Sequence, residues 1–195
     1  MPDYETRTDL FNSLPKHGTI VEVGVLHGGS SELIHKCCQP SVYYLIDLWW
    51  DQPRNKYADY REGYIGPTML YGVMTRFAAE IASGTIRPLV GASGAMVHHI
   101  PDDSCDFIYL DGDHSYAGCL ADIKAYWPKL KDGGIMAGHD YDDIEWSKEP
   151  GKRFKRTDWG VKSAVAKAFT KDQIHLVPNP TKNWWVKKMG DATSL

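Results

Sequence analysis

The sequence predicts one doubly wound α/β domain: a mostly parallel sheet of seven strands, with an antiparallel C-terminal strand and helices on both faces. Three observations predict it. Apolar runs rich in β-branched and aromatic residues recur at 19–25 (TIVEVGV), 42–49 (VYYLIDLW), 86–92 (IRPLVGA), 106–112 (DFIYLDG) and 134–140 (GIMAGHD), at intervals too long for hairpins. One-sided helical stripes lie between them. Strands that are apolar on both faces and alternate with helices belong to a parallel sheet covered on both sides. The pattern then breaks: IHLVPN and NWWVKKM are separated only by a short Pro-containing turn, which predicts an antiparallel hairpin over 174–189.

Each element has its own signal. The first strand runs into a glycine turn and a short helix over Ser30–Cys38. After the second strand comes an aromatic and charged stretch, 49–67. A helix over Thr68–Ala82 follows, with Leu70, Val73, Met74, Phe77 and Ile81 at helical spacing. Tyr116, Leu120, Ile123, Trp127 and Leu130 form another stripe, which KDGG should end. A second aromatic and charged stretch, 141–158, follows the fifth strand, and DWGVKSAVAKAF reads as an amphipathic helix before the hairpin.

The chain has 195 residues, 43% hydrophobic and 24% charged, so a single domain over 1–195 is expected. A chain of this size buries roughly 70% of its unfolded surface. A net charge of −3 offers no basic field for nucleic acid. The N-terminus, MPDYETRTDL, is polar and acidic, unlike a secretory signal, and no apolar run reaches the ~20 residues that span a bilayer. A soluble, cytoplasmic protein is expected, its state left open between monomer and homo-oligomer. Cys37, Cys38, Cys105 and Cys119 form no CxxC and read as reduced core or spectator residues.

In an open α/β sheet, ligands bind at the carboxyl ends of the strands. Asp47, Gly91, Asp111 and Asp140 all sit at such ends. VEVGVLHGGSS (21–31) is a strand, a glycine turn and a helix start, a pattern that lets backbone approach an anionic group. Its spacing, Gly24 then Gly28 and Gly29, is not the GxGxxG of a dinucleotide site and suits a smaller anion such as an amino-acid carboxylate. Asp47 ends the second strand where a carboxylate can accept from ribose hydroxyls. VGASGAM (90–96) is a third glycine-containing strand end, suited to a flat base.

Glu22-Val23-Gly24 and Asp47 together resemble the class I S-adenosylmethionine-dependent methyltransferases. More narrowly, DFIYLDGDHSY, DIKAYWPKLKDGGIMAGHDY and GVKSAV resemble the small methyltransferase-domain family related to macrocin-type O-methyltransferases, and more distantly catechol O-methyltransferase. The resemblance covers roughly residues 18–189 and implies a Rossmann-like sheet. It implies that Glu22, Gly24 and Ser30 line the methionine half of S-adenosylmethionine, that Asp47 binds ribose, and that Ala92 and Ser93 contact adenine; Gly28, in the glycine turn, is a further cofactor-binding candidate. Asp111 matches a metal-binding aspartate of the catechol enzymes and is in addition a catalytic and cofactor-binding candidate, and His139 with Asp140 occupy the places of the other two metal ligands. His114 stands where the catechol enzyme places its catalytic lysine.

Methyl transfer to a hydroxyl needs a positioned acceptor and a route for its proton: a divalent cation that lowers the acceptor's pKa, and a general base. Asp111, His139 and Asp140 can hold Mg²⁺, or more comfortably Mn²⁺, Fe²⁺ or Zn²⁺. His114 is the general-base candidate, imidazole being the side chain suited to proton transfer near neutral pH. Blander roles stand beside these. Asp113 reads as the cap of the helix near Ser115, His139 could be a core histidine bonded to a carbonyl, and His98 and His99 read as structural. Trp49, Trp50, Tyr57, Tyr60, Tyr64 and Trp146 could form a substrate lid over 49–67 and 141–158 or simply pack those loops; KRFKR (152–156) could hold an acceptor anion or be solvated surface. The expected activity is O-methylation of a small molecule. The rivals are a non-catalytic nucleotide-binding module, a nicotinamide-dependent oxidoreductase, which the missing GxGxxG disfavours, and a metal-dependent hydrolase, which leaves Asp47 unexplained.

Overall fold

A computed structural model describes residues 4–49, 66–143, 159–178 and 182–190. Its sheet is built from β1 (Thr19–Val23), β2 (Val42–Asp47), β3 (Ile86–Val90), β4 (Cys105–Leu110), β5 (Leu130–Gly138), β6 (His175–Val177) and β7 (Asn183–Lys187). The order is β3-β2-β1-β4-β5-β7-β6, seven strands among the described residues. The first five pair in parallel, while β7 runs antiparallel to both β5 and β6. The expected doubly wound sheet and its terminal hairpin are both present.

Because successive side chains on a strand point to opposite faces, apolar strands feed two cores. On one face Tyr43, Leu45, Phe107 and Tyr109 pack with Leu10, Phe11, Ile34 and Phe77. These come from α1 (Arg7–Ser13), α2 (Gly29–Cys38) and the junction of α3 (Gly66–Arg76) with α4 (Ala78–Ala82). On the other, Val21, Val23, Ile108 and Leu110 pack with Ile123, Tyr126, Val161 and Val165. These belong to α6 (Tyr116–Tyr126) and α7 (Val161–Ala168), with α5 (Ser93–Met96) ahead of them in the chain. All four cysteines are free and buried, as core residues should be.

Three boundaries differ from the sequence expectation. The third helix begins at Gly66, so Pro67 lies in its first turn, where its missing N–H is not needed. It does not run unbroken to Ala82: Phe77 leaves helical geometry at φ −107°, ψ 26° and seats its buried ring edge-on to His35 at 5.9 Å. KDGG does not end a helix. Pro128 closes α6 through a 3-10 turn at Trp127–Lys129, and the strand already starts at Leu130. The residues between Leu130 and Ile135 are accommodated by a register shift against β4. The sequence reading also contains no counterpart of α1.

Candidate active site

The strand order reverses between β1 and β4, and the crevice outside their carboxyl ends is the expected ligand site of such a sheet. One wall is the turn after β1. Asp47 ties this turn to the end of β2: its Oδ2 accepts from the backbone N–H of Val25 (2.9 Å) and Leu26 (2.7 Å), and its Oδ1 from that of Trp49 (3.0 Å). The Trp49 indole donates back to the Leu26 carbonyl at 2.7 Å. Trp49 is therefore buried packing, the second of its two expected roles. Gly24 (φ 88°) and Gly28 (φ 82°) occupy the left-handed region that favours glycine. A Cβ on Gly24 would lie 2.0 Å from the Asp111 carbonyl oxygen, so Gly24 is what lets the ends of β1 and β4 close on each other.

Glu22 lies beneath the turn, fully buried, and accepts from the Tyr43 hydroxyl at 2.5 Å. Burial pushes its carboxyl up to about 8, opposed by Ser31 and Tyr43 and reinforced by the charges of Asp111 and Asp47. The folded state thus holds this proton more tightly than the unfolded chain does. The stability so contributed is complete below about pH 4.5 and is lost as the pH rises through about 8. Denaturant midpoints of the wild type should therefore fall, relative to Glu22→Gln, between about pH 5 and about pH 9. Parallel pH curves for the two proteins would show Glu22 ionised throughout.

Ser30, in the first turn of α2, meets the Arg7 guanidinium at 3.4 Å. Ala92 precedes α5 and is exposed. The Ser93 hydroxyl is bound at 2.5 Å by Asp122 of α6, and the Ser93 carbonyl accepts from Tyr126 at 2.8 Å. Burial raises the Asp122 carboxyl to about 6, with the Ser93 bond opposing the rise and Asp113 adding to it. Asp113 does not cap the helix: Ser115 is the N-cap, accepting from Gly118 N–H at 3.0 Å, while Asp113 accepts from Ser115 N–H at 3.0 Å in the turn just before it.

The centre of the crevice is a four-residue cluster from two strand ends. Asp111 and His114 follow β4; His139 and Asp140 follow β5, with Asp140 in the left-handed region at φ 52°. His114 Nε2 lies 3.3 Å from Asp111 Oδ1 and 3.4 Å from Asp140 Oδ2, aligned for a hydrogen bond with neither. His139 Nδ1 lies 3.0 Å from Asp140 Oδ1 and 3.7 Å from Asp111 Oδ1, again without alignment. His139 faces this cluster and not a backbone carbonyl. Burial pulls its imidazole down, but the contact with Asp140 and the charges of Asp111 and Asp140 outweigh this and leave it raised. The Trp159 indole stacks on His114 at 4.4 Å and 18°, and Gly160 N–H bonds the His114 carbonyl at 2.9 Å.

These residues fit a divalent cation. One ligand atom from each of the four lies within 4.8 Å of the others. Two imidazole nitrogens are buried among carboxylate oxygens with no hydrogen bond of their own, and such atoms are satisfied when their lone pairs converge on an ion. Their positions at the ends of two strands, and the family resemblance, made Asp111, His139 and Asp140 visible as metal ligands in the sequence; His114 was read there as a base and not as part of the same set. Sequence reasoning also missed Arg7, Asp122 and Trp159. Asp122 carries a faint signal, a carboxylate one residue before Ile123 in an apolar helix face. Trp50, Tyr57, Tyr60, Tyr64, Trp146 and KRFKR, and with them most of the expected lid, lie outside the described residues.

Seven strands in this order, with the polar cluster at the switch point, define a Rossmann-like methyltransferase fold. A family model described as "Methyltransferase domain" matches residues 21–141, more than half of the chain, and the chain belongs to that family. A Staphylococcus aureus protein assigned as a caffeoyl-CoA O-methyltransferase superposes with a TM-score of 0.61 at 17% identity, covering 93% of this chain and 80% of its own. The Streptococcus mutans protein SMU.1697c, assigned as a methyltransferase and solved with SAH, gives 0.60 at 12% identity, covering 94% and 96%. An rRNA methylase from Streptococcus thermophilus gives 0.59 at 12% identity, covering 94% of each chain. Among curated proteins, R132 of Acanthamoeba polyphaga mimivirus is 25% identical over 76 residues, which is 39% of this chain and 34% of that protein. The match thus spans about a third of that relative. No helix among the described residues is long and apolar enough to cross a membrane.

Proposed function

We propose that this protein is an S-adenosylmethionine-dependent O-methyltransferase acting on a hydroxyl of a small molecule such as a sugar, polyol or phenol, in the cytoplasm. The observation that carries the reading is the cluster in which His114 and His139 present unbonded, buried nitrogens to Asp111 and Asp140 at the switch point of a methyltransferase fold. Asp111, His139 and Asp140 would hold a divalent cation, and two nearby imidazoles favour Mn²⁺, Fe²⁺ or Zn²⁺ over Mg²⁺. Such an ion lowers the pKa of a hydroxyl next to it. S-adenosylmethionine supplies an already activated methyl group, leaving the protein to orient the acceptor and take its proton.

The chain's own residues have distinct parts in this reading. His114 Nε2 accepts the acceptor's proton, and Asp111 and Asp140, within 3.4 Å, stabilise the imidazolium that forms. Trp159 fixes the imidazole plane and covers one face of it. Asp47 serves ribose, Ala92 and Ser93 the adenine, and Gly28 and Ser30 the methionyl end, while Asp122 and Tyr126 fix the loop that carries Ser93. A net charge of −3 supports a small-molecule acceptor over a nucleic acid.

Incubation with methyl-labelled S-adenosylmethionine and a panel of sugars, polyols, phenols, amines and thiols tests the proposal. Label in an alkali-stable ether, increased by added Mn²⁺, is the expected product. Label only in amines or thiols would overturn the O-methylation reading.

A further inference from the structure

One cation in the crevice has no part in this account. Arg7 is the first residue of α1, a helix begun by a capping box in which the Thr6 hydroxyl accepts from Asp9 N–H while the Asp9 carboxylate accepts from Thr6 N–H. Buried Leu10 and Phe11 anchor that helix in the core, so Arg7 is presented from a rigid element. Its side chain is half-buried and reaches Ser30 Oγ at a long 3.4 Å. It also lies beside the buried Tyr109 hydroxyl, offsetting part of the rise that burial and Asp111 impose on that phenol, and its charge is felt at His139. Among the described residues Arg7 forms no ion pair with a carboxylate.

An arginine fork facing only neutral hydroxyls in a partly desolvated crevice lacks the partner it is built for. Guanidinium groups bind carboxylates and phosphates with paired, charge-assisted hydrogen bonds. Arg76, the other cation against the glycine turn, is already engaged: its Nη1 bonds the carbonyls of His27 (3.1 Å) and Gly28 (3.0 Å) and lies 3.6 Å from Glu32. Glu22, the carboxyl nearest beneath the turn, is pushed up toward its neutral form and offers Arg7 little charge. S-adenosylmethionine carries a sulfonium, an ammonium and a single anionic group, its carboxylate. If that cofactor lies across the crevice, the carboxylate is the one part of it that a free guanidinium beside the turn can recognise.

We infer that Arg7, together with Ser30, binds the methionyl carboxylate of S-adenosylmethionine, so that the N-terminal helix completes the cofactor site. The inference rests on the methyltransferase reading and extends it to a residue outside the family match. Calorimetric titration of wild type and Arg7→Ala with S-adenosylhomocysteine and with 5′-methylthioadenosine, which lacks the whole carboxylate-bearing arm, tests it. Arg7→Ala should weaken S-adenosylhomocysteine about 10- to 150-fold, the range for a hydrogen bond to a charged group. Binding of 5′-methylthioadenosine should not change. Arg7→Lys should recover part of the loss, since it restores charge without the fork. Equal weakening of both nucleosides would make Arg7 a structural residue, and no weakening of either would leave it without a ligand; both results overturn the inference while sparing the cofactor reading. Wild type that binds neither nucleoside overturns the cofactor reading, and the inference with it.

Discussion

Replacing His114 with alanine should lower the rate of methyl transfer by about 10²- to 10⁴-fold, the usual contribution of a positioned general base, and leave S-adenosylhomocysteine affinity unchanged. The imidazole stacks on the Trp159 ring, its backbone carbonyl accepts from Gly160 N–H, and its Nε2 lies 3.3 and 3.4 Å from the carboxylates of Asp111 and Asp140. In the proposed mechanism its part is proton transfer, while the glycine turn and the Ser93 loop serve the cofactor, so its loss should spare nucleoside binding. Calorimetry and single-turnover kinetics on the same variant separate the terms. If the heat of Mn²⁺ binding disappears along with turnover, His114 is a fourth ligand to the ion; if it persists, the lost function is proton transfer. Turnover at the wild-type rate would remove His114 from the mechanism altogether.

Gly24→Ala should be at least as damaging, by a different route. The new methyl would sit 2.0 Å from the Asp111 carbonyl oxygen and 2.3 Å from its carbon, and both are backbone atoms of a neighbouring strand end. Left-handed strain of about 1–2 kcal/mol for a non-glycine residue is added to an overpacking cost of about 1–3 kcal/mol. At roughly 2–4 °C per kcal/mol for a chain of this size, a loss of about 3 kcal/mol lowers the melting temperature by about 6–12 °C. Whatever relaxation avoids the clash must move Asp111, so methyl transfer should be lost even below the melting point. Gly133→Ala is the matching control: its φ is also left-handed, at 77°, but a Cβ there meets nothing within 4 Å. It should show the strain alone and keep its activity. Equal melting temperatures for the two variants would remove the clash as a factor.

What the sequence disclosed, and what it withheld, follows from the range of the interactions involved. The central strands were legible because burial on both faces makes them continuously apolar, and the site because its residues stand where those strands stop. Asp111, His139 and Asp140 are consecutive with strand ends and could be placed without any knowledge of packing. His114 was found as a base candidate, but only the crossover that sets β4 beside β5 carries its nitrogen to within 3.4 Å of Asp140. Asp122 and Ser93 are 29 residues apart, and no local pattern joins them. The break at Phe77 is equally tertiary, since the stripe from Leu70 to Ile81 keeps helical spacing straight through it. The helix carrying Arg7 is a different case. TRTD is a capping-box signal, followed by buried Leu10, Phe11 and Leu14, yet a seven-residue helix has too few turns to show a period.

In the proposed function one crevice holds both an adenosyl nucleoside and a divalent cation. This is tested most directly by titrating S-adenosylhomocysteine into protein stripped with EDTA, then titrating Mn²⁺ into that complex, for the wild type and for Asp111→Ala. Micromolar nucleoside binding, followed by a separate Mn²⁺ heat that vanishes in Asp111→Ala, is expected. Absence of nucleoside binding to the folded wild-type protein, with or without Mn²⁺, would contradict it.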